Sequence, residues 1–279
     1  MKGLVLVTGG TGFVGRQILR ALAEQGVPTR VVIRAGTHAR LERVHELERV
    51  ITTENLFAED VEWWAKTCEG VDSIIHAAWY TEPGQYLMSP KNLDCLFGTL
   101  QMARGAVMAG IRRVLGVGTC LEYDVSQGML SVDTPLYPNT PYAGAKAAVY
   151  LALANWLPLQ GTEFVWCRVF YLYGDGENER RLVPYLRARL AAGKPAELTN
   201  GNQIRDFLDV REAGRMIVGV ALGPQQGAVN ICSGVPITVR ELARTIAEEY
   251  GGGELLRFAP LSESQAENLA EPPCIVGVR

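Results

Sequence analysis

Tyr142 and Lys146 are the residues of this chain whose types and spacing suggest chemistry most directly. They stand four positions apart, so a helix would place both side chains on one face. Thr140 and Pro141 suit the N-cap and the first turn of such a helix. An unperturbed phenol titrates near ~10, and a neighbouring ammonium lowers that pKa because it favours the phenolate. The pair therefore predicts a proton donor beside a fixed cation, although the same spacing occurs by chance in many helices.

Thr119 adds a hydroxyl group to this pair. It follows the apolar run Val114–Gly118, which is predicted to be a buried strand. Ligands of open α/β sheets bind beyond the carboxyl ends of the strands. A hydroxyl at that position can hydrogen-bond the same substrate oxygen that Tyr142 protonates. We predict that Thr119, Tyr142 and Lys146 act together on one carbonyl group.

A glycine-rich turn near the start of the chain predicts a dinucleotide site. The turn joins the apolar run Leu4–Val7 to an amphipathic helix. Gly9 permits a tight turn, Gly12 lets the backbone approach phosphate, and Gly15 allows close packing of helix on strand. The helix N-terminus offers N–H groups and a partial positive charge to a pyrophosphate. The predicted cofactor-binding residues of this turn are Gly9, Thr11, Gly12, Phe13, Val14 and Gly15.

Arg34 indicates which nicotinamide cofactor the sequence favours. NAD sites usually carry an acidic residue about 20 residues after the glycines, where it binds the ribose 2′-hydroxyl. Here the apolar run Val31–Ile33 ends in Arg34, and Arg40 lies nearby. A guanidinium suits a 2′-phosphate, so we predict NADP(H). NAD(H) remains the alternative, with Arg34 as an ordinary surface arginine.

Short apolar strands alternate with helical periods along most of the chain. The predicted strands are Leu4–Val7, Arg30–Ile33, Ser73–His76, Val114–Gly118, Phe164–Val169 and Val229–Cys232. Besides the helix after the glycine-rich turn, helices are predicted near 92–110, 141–157, 181–193, 211–222 and 238–250. This alternation predicts an α/β protein with a Rossmann-type, doubly wound parallel sheet. The strands are continuous apolar runs, as expected for burial on both faces.

The alternation weakens after the strand that ends at Val169, where polar loops rich in Gly and Pro begin. We therefore assign residues 1–168 to a dinucleotide-binding domain and expect residues 207–232 to return to it. Residues 169–279 are predicted to form a smaller C-terminal substrate-binding lobe.

Composition excludes several classes of protein. The net charge of −3 and 20% charged residues give no reason to expect nucleic acid or a membrane surface as a partner. The six cysteines show no paired spacing and the three histidines show no ligand spacing, so neither disulfides nor a metal site is expected. No apolar run approaches the length of a membrane span and no signal sequence precedes the first strand, so we predict a cytoplasmic protein.

Taken together, these motifs resemble the extended short-chain dehydrogenase/reductases of the nucleotide-sugar epimerase/dehydratase superfamily. The matching segments are Thr8–Gly15, Asp72–Ala78, Gly118–Tyr123, Tyr142–Lys146, Arg168–Gly174 and Arg205–Val210, and they extend over nearly the whole chain. The resemblance implies that Thr119, Tyr142 and Lys146 are the catalytic residues. It also implies that Arg205 contacts the diphosphate of a nucleoside-diphosphate sugar.

The resemblance assigns the remaining site residues. It implies that Asn55 and Leu56 lie near the adenine of the cofactor, and that Ala77 and Ala78 line the cofactor groove. The candidate substrate contacts are Trp79, Cys120, Tyr171 and Arg205. For Trp79 and Cys120, packing is the alternative interpretation, and Glu122 and Tyr123 could equally line the sugar pocket or pack the strand end.

Departures from the superfamily pattern narrow the activity. Sugar-nucleotide dehydratases carry an Asp-Glu pair directly after the catalytic threonine, where this chain has Cys120 and Leu121. Reductases that first epimerise place a cysteine and a histidine at positions held here by Leu121 and Gly176. Epimerases usually have an asparagine in the stretch occupied by Tyr171. We therefore expect NADPH-dependent reduction of a keto group on a nucleotide-activated sugar of the 4-keto-6-deoxyhexose type.

Two alternatives stay open. A nucleotide-sugar 4-epimerase would use the same tyrosine and lysine but retain its cofactor, and a non-catalytic dinucleotide-binding protein could share the fold. The resemblance further implies a homodimer formed through the helices near 92–110 and 141–157. The chain ends soon after Glu271–Val276, where relatives usually continue into a last helix, so we expect either a truncated tail or a small lobe.

Overall fold

The computed structural model describes residues 3–41, 47–259 and 272–279. Its helices are α1 Phe13–Glu24, α2 Val61–Thr67, α3 Lys91–Met108, α4 Pro141–Trp156, α5 Leu182–Ala191, α6 Val210–Leu222 and α7 Val239–Glu248. The first seven strands are β1 Val5–Thr8, β2 Thr29–Arg34, β3 Leu47–Thr53, β4 Ser73–His76, β5 Arg113–Thr119, β6 Met129–Leu130 and β7 Glu163–Val169. The later strands are β8 Tyr171–Tyr173, β9 Ala196–Leu198, β10 Ile204–Asp209, β11 Gly227–Ile231, β12 Pro236–Thr238, β13 Leu256–Phe258 and β14 Cys274–Gly277.

Seven parallel strands form the main sheet of the protein. Its strand order is β3-β2-β1-β4-β5-β7-β11, and every neighbouring pair is parallel. All residues of β1, β4 and β5 are buried, as expected when helices cover both faces. The order reverses between β1 and β4, which is the crevice where ligands of such sheets bind. The predicted Rossmann-type, doubly wound fold is confirmed.

Helices cover the two faces of this sheet in separate groups. On one face α1 packs against α6, with Ile18 and Ile217 in one apolar cluster. Gly214 lies so close to α1 that a Cβ atom there would stand 2.7 Å from the Cβ of Gln17. On the other face α2, α3 and α4 bury a second cluster that includes Trp64. The α1–α6 contact joins the helix that follows the glycine-rich turn to a helix almost 200 positions later in the chain.

The rest of the chain forms smaller sheets beside the main one. Strands β12, β10, β14 and β6 lie side by side in that order, β8 pairs with β10, and β13 pairs with β9. Helices α5 and α7 enclose their own apolar cluster, which includes Leu186 and Ile246. The predicted division at residue 168 stays a prediction, and within the predicted lobe residues 260–271 lie outside the described ranges. Strand β11 and the whole of α6 fall in the segment 207–232 and belong to the layers of the main sheet.

Strand β3 of the main sheet and helix α2 were not predicted from the sequence, and neither were the short strands β6, β8, β9, β10, β12, β13 and β14. Strand β3 is an edge strand with six of its seven residues partly or fully exposed, so it lacks the continuous apolar run of the central strands. Helix α2 is short and begins at Asp60, whose carboxylate accepts a hydrogen bond from the backbone N–H of Trp63 at 2.8 Å. Within the described ranges, no helix combines the length and apolar character that a membrane span requires.

Candidate active site

The glycine-rich turn lies at the crevice between β1 and β4. Gly9 has a φ of +75°, a conformation that glycine adopts without strain. A Cβ atom at Gly9 would stand 2.7 Å from the backbone nitrogen of Ala78, and one at Gly15 would stand 2.0 Å from the Gly9 carbonyl oxygen. Only hydrogen side chains fit at these two positions. The turn therefore brings the N-terminus of α1 next to the Ala77–Ala78 backbone, and this arrangement fits a pyrophosphate.

Three further residues assigned to the cofactor lie at the same edge of the sheet. Arg34 ends β2 with an exposed side chain and pairs with Thr53 of β3. Asn55 follows, and its side chain accepts a hydrogen bond from the backbone N–H of Phe57 at 3.1 Å, beginning a short helical turn that contains Leu56. The carboxyl ends of parallel strands meet at one edge, so Arg34, Asn55 and Leu56 stand on the same side as the glycine-rich turn.

The structure brings Thr119, Tyr142 and Lys146 together. Thr119 ends β5, and α4 begins at Pro141 with Thr140 as its N-cap, as the sequence predicts. The Thr119 hydroxyl lies beside the Tyr142 phenol, close enough to lower the pKa of the phenol. The Lys146 ammonium donates to the backbone carbonyl of Val117 in β5. The start of α4 thus presents the phenol and the ammonium to the end of the strand that carries the hydroxyl.

The pKa of Tyr142 moves in the opposite direction to the sequence expectation. Burial raises it well above the ordinary value of a phenol, and the nearby Thr119 hydroxyl opposes this only in part. Burial also lowers the pKa of Lys146 to about 8, while the nearby Glu122 carboxylate opposes that change. The phenol is therefore a protonated donor at neutral pH, and most of the lysine carries its charge.

The indole ring of Trp79 packs against the ammonium group of Lys146. The lysine ammonium lies 3.9 Å from the centre of the indole ring, within range of a cation–π interaction. The indole N–H donates to the side-chain oxygen of Asn92 at 2.8 Å, and the ring meets Tyr142 edge-on with centroids 6.4 Å apart. The structure thus places this predicted substrate contact against two of the three predicted catalytic side chains.

Glu122 is the functional candidate that the sequence left undecided. Its side chain is fully buried and accepts hydrogen bonds from the backbone N–H of Thr119 at 2.8 Å and from the Trp166 indole at 3.0 Å. The guanidinium of Arg168 donates to the same carboxylate at 2.7 Å, and this arginine is buried too. Of the two interpretations offered above, packing at the strand end is the one observed. The buried ion pair holds the backbone of Thr119 in place.

A cavity of about 320 Å³ is lined by residues that lie between positions 171 and 239 of the chain. Its lining includes Tyr171 and Arg205, two of the four predicted substrate contacts, together with Arg180 and Arg181. The Arg205 guanidinium lies 5.4 Å from the centre of the Tyr171 ring. Three arginines around one cavity suit a diphosphate, because guanidinium binds phosphate oxygens through paired hydrogen bonds.

Cys120, the fourth candidate contact, is buried beside Thr119. Burial, together with the negative charge of Glu122, raises the pKa of its thiol to about 12. The thiol is therefore protonated at neutral pH. The four predicted substrate contacts thus fall into two groups. Trp79 and Cys120 lie around the catalytic side chains, and Tyr171 and Arg205 line the cavity.

Comparison with known proteins identifies the family. Residues 5–232 match the model described as the NAD dependent epimerase/dehydratase family. The chain is 23% identical to a dTDP-6-deoxy-L-talose 4-dehydrogenase (NAD(+)) of Aggregatibacter actinomycetemcomitans, over 92% of each protein. It is 24% identical to a dTDP-4-dehydro-6-deoxy-D-allose reductase of Streptomyces bikiniensis, over 92% of this chain and 84% of the relative.

Solved structures agree with this match. DesIV, a dTDP-glucose 4,6-dehydratase of Streptomyces venezuelae crystallised with NAD, superposes with a TM-score of 0.77 and 25% identity over 99% of this chain and 92% of that one. The predicted resemblance to nucleotide-sugar enzymes of the extended short-chain type is confirmed. The chain belongs to the NAD dependent epimerase/dehydratase family.

Proposed function

We propose that this protein uses NADPH to reduce a keto group on a nucleotide-activated sugar of the 4-keto-6-deoxyhexose type. The observation that carries the proposal is the contact between the Thr119 hydroxyl and the Tyr142 phenol beside the Lys146 ammonium. Two relatives support the substrate class, because their names describe a dehydrogenase and a reductase of dTDP-linked 6-deoxyhexoses.

The cofactor would lie in the crevice, held by the glycine-rich turn, Ala77–Ala78, Asn55 and Arg34. When bound, the reduced nicotinamide supplies the hydride that a carbonyl carbon accepts. Tyr142 donates the proton that the carbonyl oxygen needs, and its raised pKa keeps that proton available at neutral pH. Thr119 hydrogen-bonds the same oxygen. Lys146 binds the nicotinamide ribose and places a positive charge next to the developing alkoxide.

The surroundings of Thr119 argue against elimination of water, the step that dehydratases perform. That step needs an acid and a base next to the catalytic threonine, but Cys120 offers a buried, protonated thiol and Leu121 an apolar side chain. The nearby carboxylate of Glu122 is occupied by Thr119, Trp166 and Arg168. This fully buried carboxylate is held by contacts inside the protein and is not exposed to a substrate.

The proposal is tested by the stoichiometry of the reaction. Given a dTDP-4-keto-6-deoxyhexose, the protein is expected to oxidise one NADPH for each sugar reduced, measured by loss of reduced-nicotinamide absorbance and by product analysis. NADH should be used less efficiently, because the exposed guanidinium of Arg34 at the end of β2 suits a 2′-phosphate. Conversion of the sugar to an isomer with no NADPH consumed would instead establish the epimerase alternative.

Arg34→Ala provides the control for the cofactor choice. Loss of a charged hydrogen-bond partner should weaken NADPH binding roughly 10- to 150-fold and leave NADH binding nearly unchanged. Arg49→Ala is the matched variant, since Arg49 is an exposed arginine on the neighbouring strand β3. Wild-type protein that binds NADH more tightly than NADPH would overturn the NADP(H) assignment. The relative from Aggregatibacter carries NAD(+) in its name. The comparison of NADPH binding with NADH binding therefore tests directly whether Arg34 favours NADPH.

We also propose that the protein is a homodimer built on α3 and α4. Large apolar side chains are exposed along these helices, with Leu93, Phe97 and Met108 on α3 and Leu151 on α4. Exposed apolar groups on neighbouring helices are typical of a contact surface. Sedimentation velocity should give the mass of two chains, and Phe97→Glu should shift the protein to one chain. A wild-type monomer at micromolar concentration would contradict the proposal.

A further inference from the structure

Tyr86 is a second phenol beside the predicted proton donor. It begins the short helical turn Tyr86–Met88, which lies between β4 and α3. Its ring meets the Tyr142 ring edge-on, with centroids 4.8 Å apart and planes at 88°. None of the roles assigned above uses this side chain. A polar group so close to the reacting position can contact whatever Tyr142 protonates.

Tyr86 also lies near Arg181, a residue of the cavity lining. Burial raises the pKa of Tyr86, while the positive charge of the nearby Arg181 guanidinium lowers it. Arg181 lines the cavity together with Arg205. A second link joins the same two segments, because the Glu82 carboxylate lies 4.0 Å from the guanidinium of Arg180. Tyr86 therefore bridges the catalytic side chains and the arginine-lined cavity.

The backbone of Tyr86 is held firmly. Asn92 is fully buried, and its amide donates to the Tyr86 carbonyl oxygen at 2.7 Å and to the Ser89 carbonyl oxygen at 2.9 Å. The same amide accepts the hydrogen bond from Trp79, which in turn lies over Lys146. Asn92 thus fixes the position of Tyr86 relative to the lysine and the phenol of the active site.

We propose that Tyr86 is a sugar-binding residue whose hydroxyl contacts a sugar oxygen next to the one that Tyr142 protonates. This inference rests on the function proposed above. A nucleoside diphosphate in the cavity offers Arg181 a charged partner, and guanidinium–phosphate hydrogen bonds are stronger than a bond to a neutral phenol. With Arg181 drawn to the phosphate, the hydroxyl of the half-buried Tyr86 is free to take a partner from the substrate. A sugar hydroxyl between the two phenols supplies it.

The test compares binding of dTDP with binding of dTDP-glucose to NADPH-loaded protein by calorimetry, with UDP and UDP-glucose in parallel. Tyr86→Phe keeps the ring contact with Tyr142 and removes only the hydroxyl. It is expected to weaken dTDP-glucose binding about tenfold, the size of one lost hydrogen bond, and to leave dTDP binding within about twofold of wild type. Tyr80→Phe is the matched control, because its hydroxyl bonds the neighbouring Gln85 side chain.

Each other outcome overturns the inference in a distinguishable way. Equal weakening of dTDP and dTDP-glucose would show that Tyr86 only maintains the cavity. Unchanged binding of both ligands would show that its hydroxyl does not contact the sugar, and would leave the proposed reductase function standing. Wild-type protein that binds none of the four nucleotides would overturn both the inference and the proposed function.

Discussion

Replacing Tyr142 with phenylalanine is expected to lower kcat roughly 10²- to 10⁴-fold, the range that a positioned general acid contributes. The variant keeps the ring that packs against Tyr86 and Trp79 and loses only the proton donor. Thr119 cannot replace it, because an aliphatic hydroxyl is a much weaker acid than a phenol. The loss should appear in kcat measured with saturating NADPH and sugar nucleotide.

Two further measurements distinguish a loss of catalysis from a loss of folding. Cofactor affinity, followed by fluorescence titration, and the melting temperature should stay near wild type for Tyr142→Phe. Tyr150→Phe is the matched control, since Tyr150 lies two turns along the same helix and its ring packs against Phe164. Substantial turnover by Tyr142→Phe would remove the phenol from the mechanism.

Replacing Glu122 with leucine is expected to lower the free energy of unfolding by about 3–5 kcal/mol, the usual cost of removing one partner of a buried ion pair. Arg168 would remain buried with its charge uncompensated, and the amide of Thr119 would lose its acceptor. Urea unfolding measures the change. The loss of the Thr119 acceptor should also reduce turnover in whatever fraction of the variant folds.

A double variant distinguishes the ion pair from simple packing. Glu122→Leu combined with Arg168→Met removes both charges and should recover much of the stability lost in the single variant. The control pair is Glu212 and Arg215, whose carboxylate and guanidinium lie 2.7 Å apart but are exposed. Glu212→Leu should cost less than about 1 kcal/mol. A Glu122→Leu variant as stable as wild type would show that the buried charges do not stabilise each other.

Local patterns predicted the main sheet and the position of the turn. The strand Ser73–His76 was predicted with the bounds observed, and the other central strands differ by a few residues at most. These strands are continuous apolar runs, and such runs are visible without knowledge of the tertiary structure. β3 was missed because an edge strand alternates or mixes its side chains, and α2 because seven residues give too short a helical period.

The parts of the site that could not be predicted depend on contacts between distant residues. The role of Glu122 depends on its contacts with Trp166 and Arg168, which lie 44 and 46 positions further along the chain. Likewise, no local pattern indicates that Trp79 lies over Lys146 or that Tyr86 faces Arg181. The expected direction of the pKa shift of Tyr142 was wrong for the same reason. The sequence shows the neighbouring cation but does not show how deeply the phenol is buried.

The packing of α6 on α1 has a consequence for how the protein can be synthesised and divided. A ribosome that has released only residues 1–168 has not yet delivered the helix that covers Ile18, nor β11, the outer neighbour of β7. A fragment cut there would expose an apolar helix face and an unpaired strand edge, both of which favour aggregation. The nucleotide-binding half is thus expected to need the later segment before it becomes a stable, separate body.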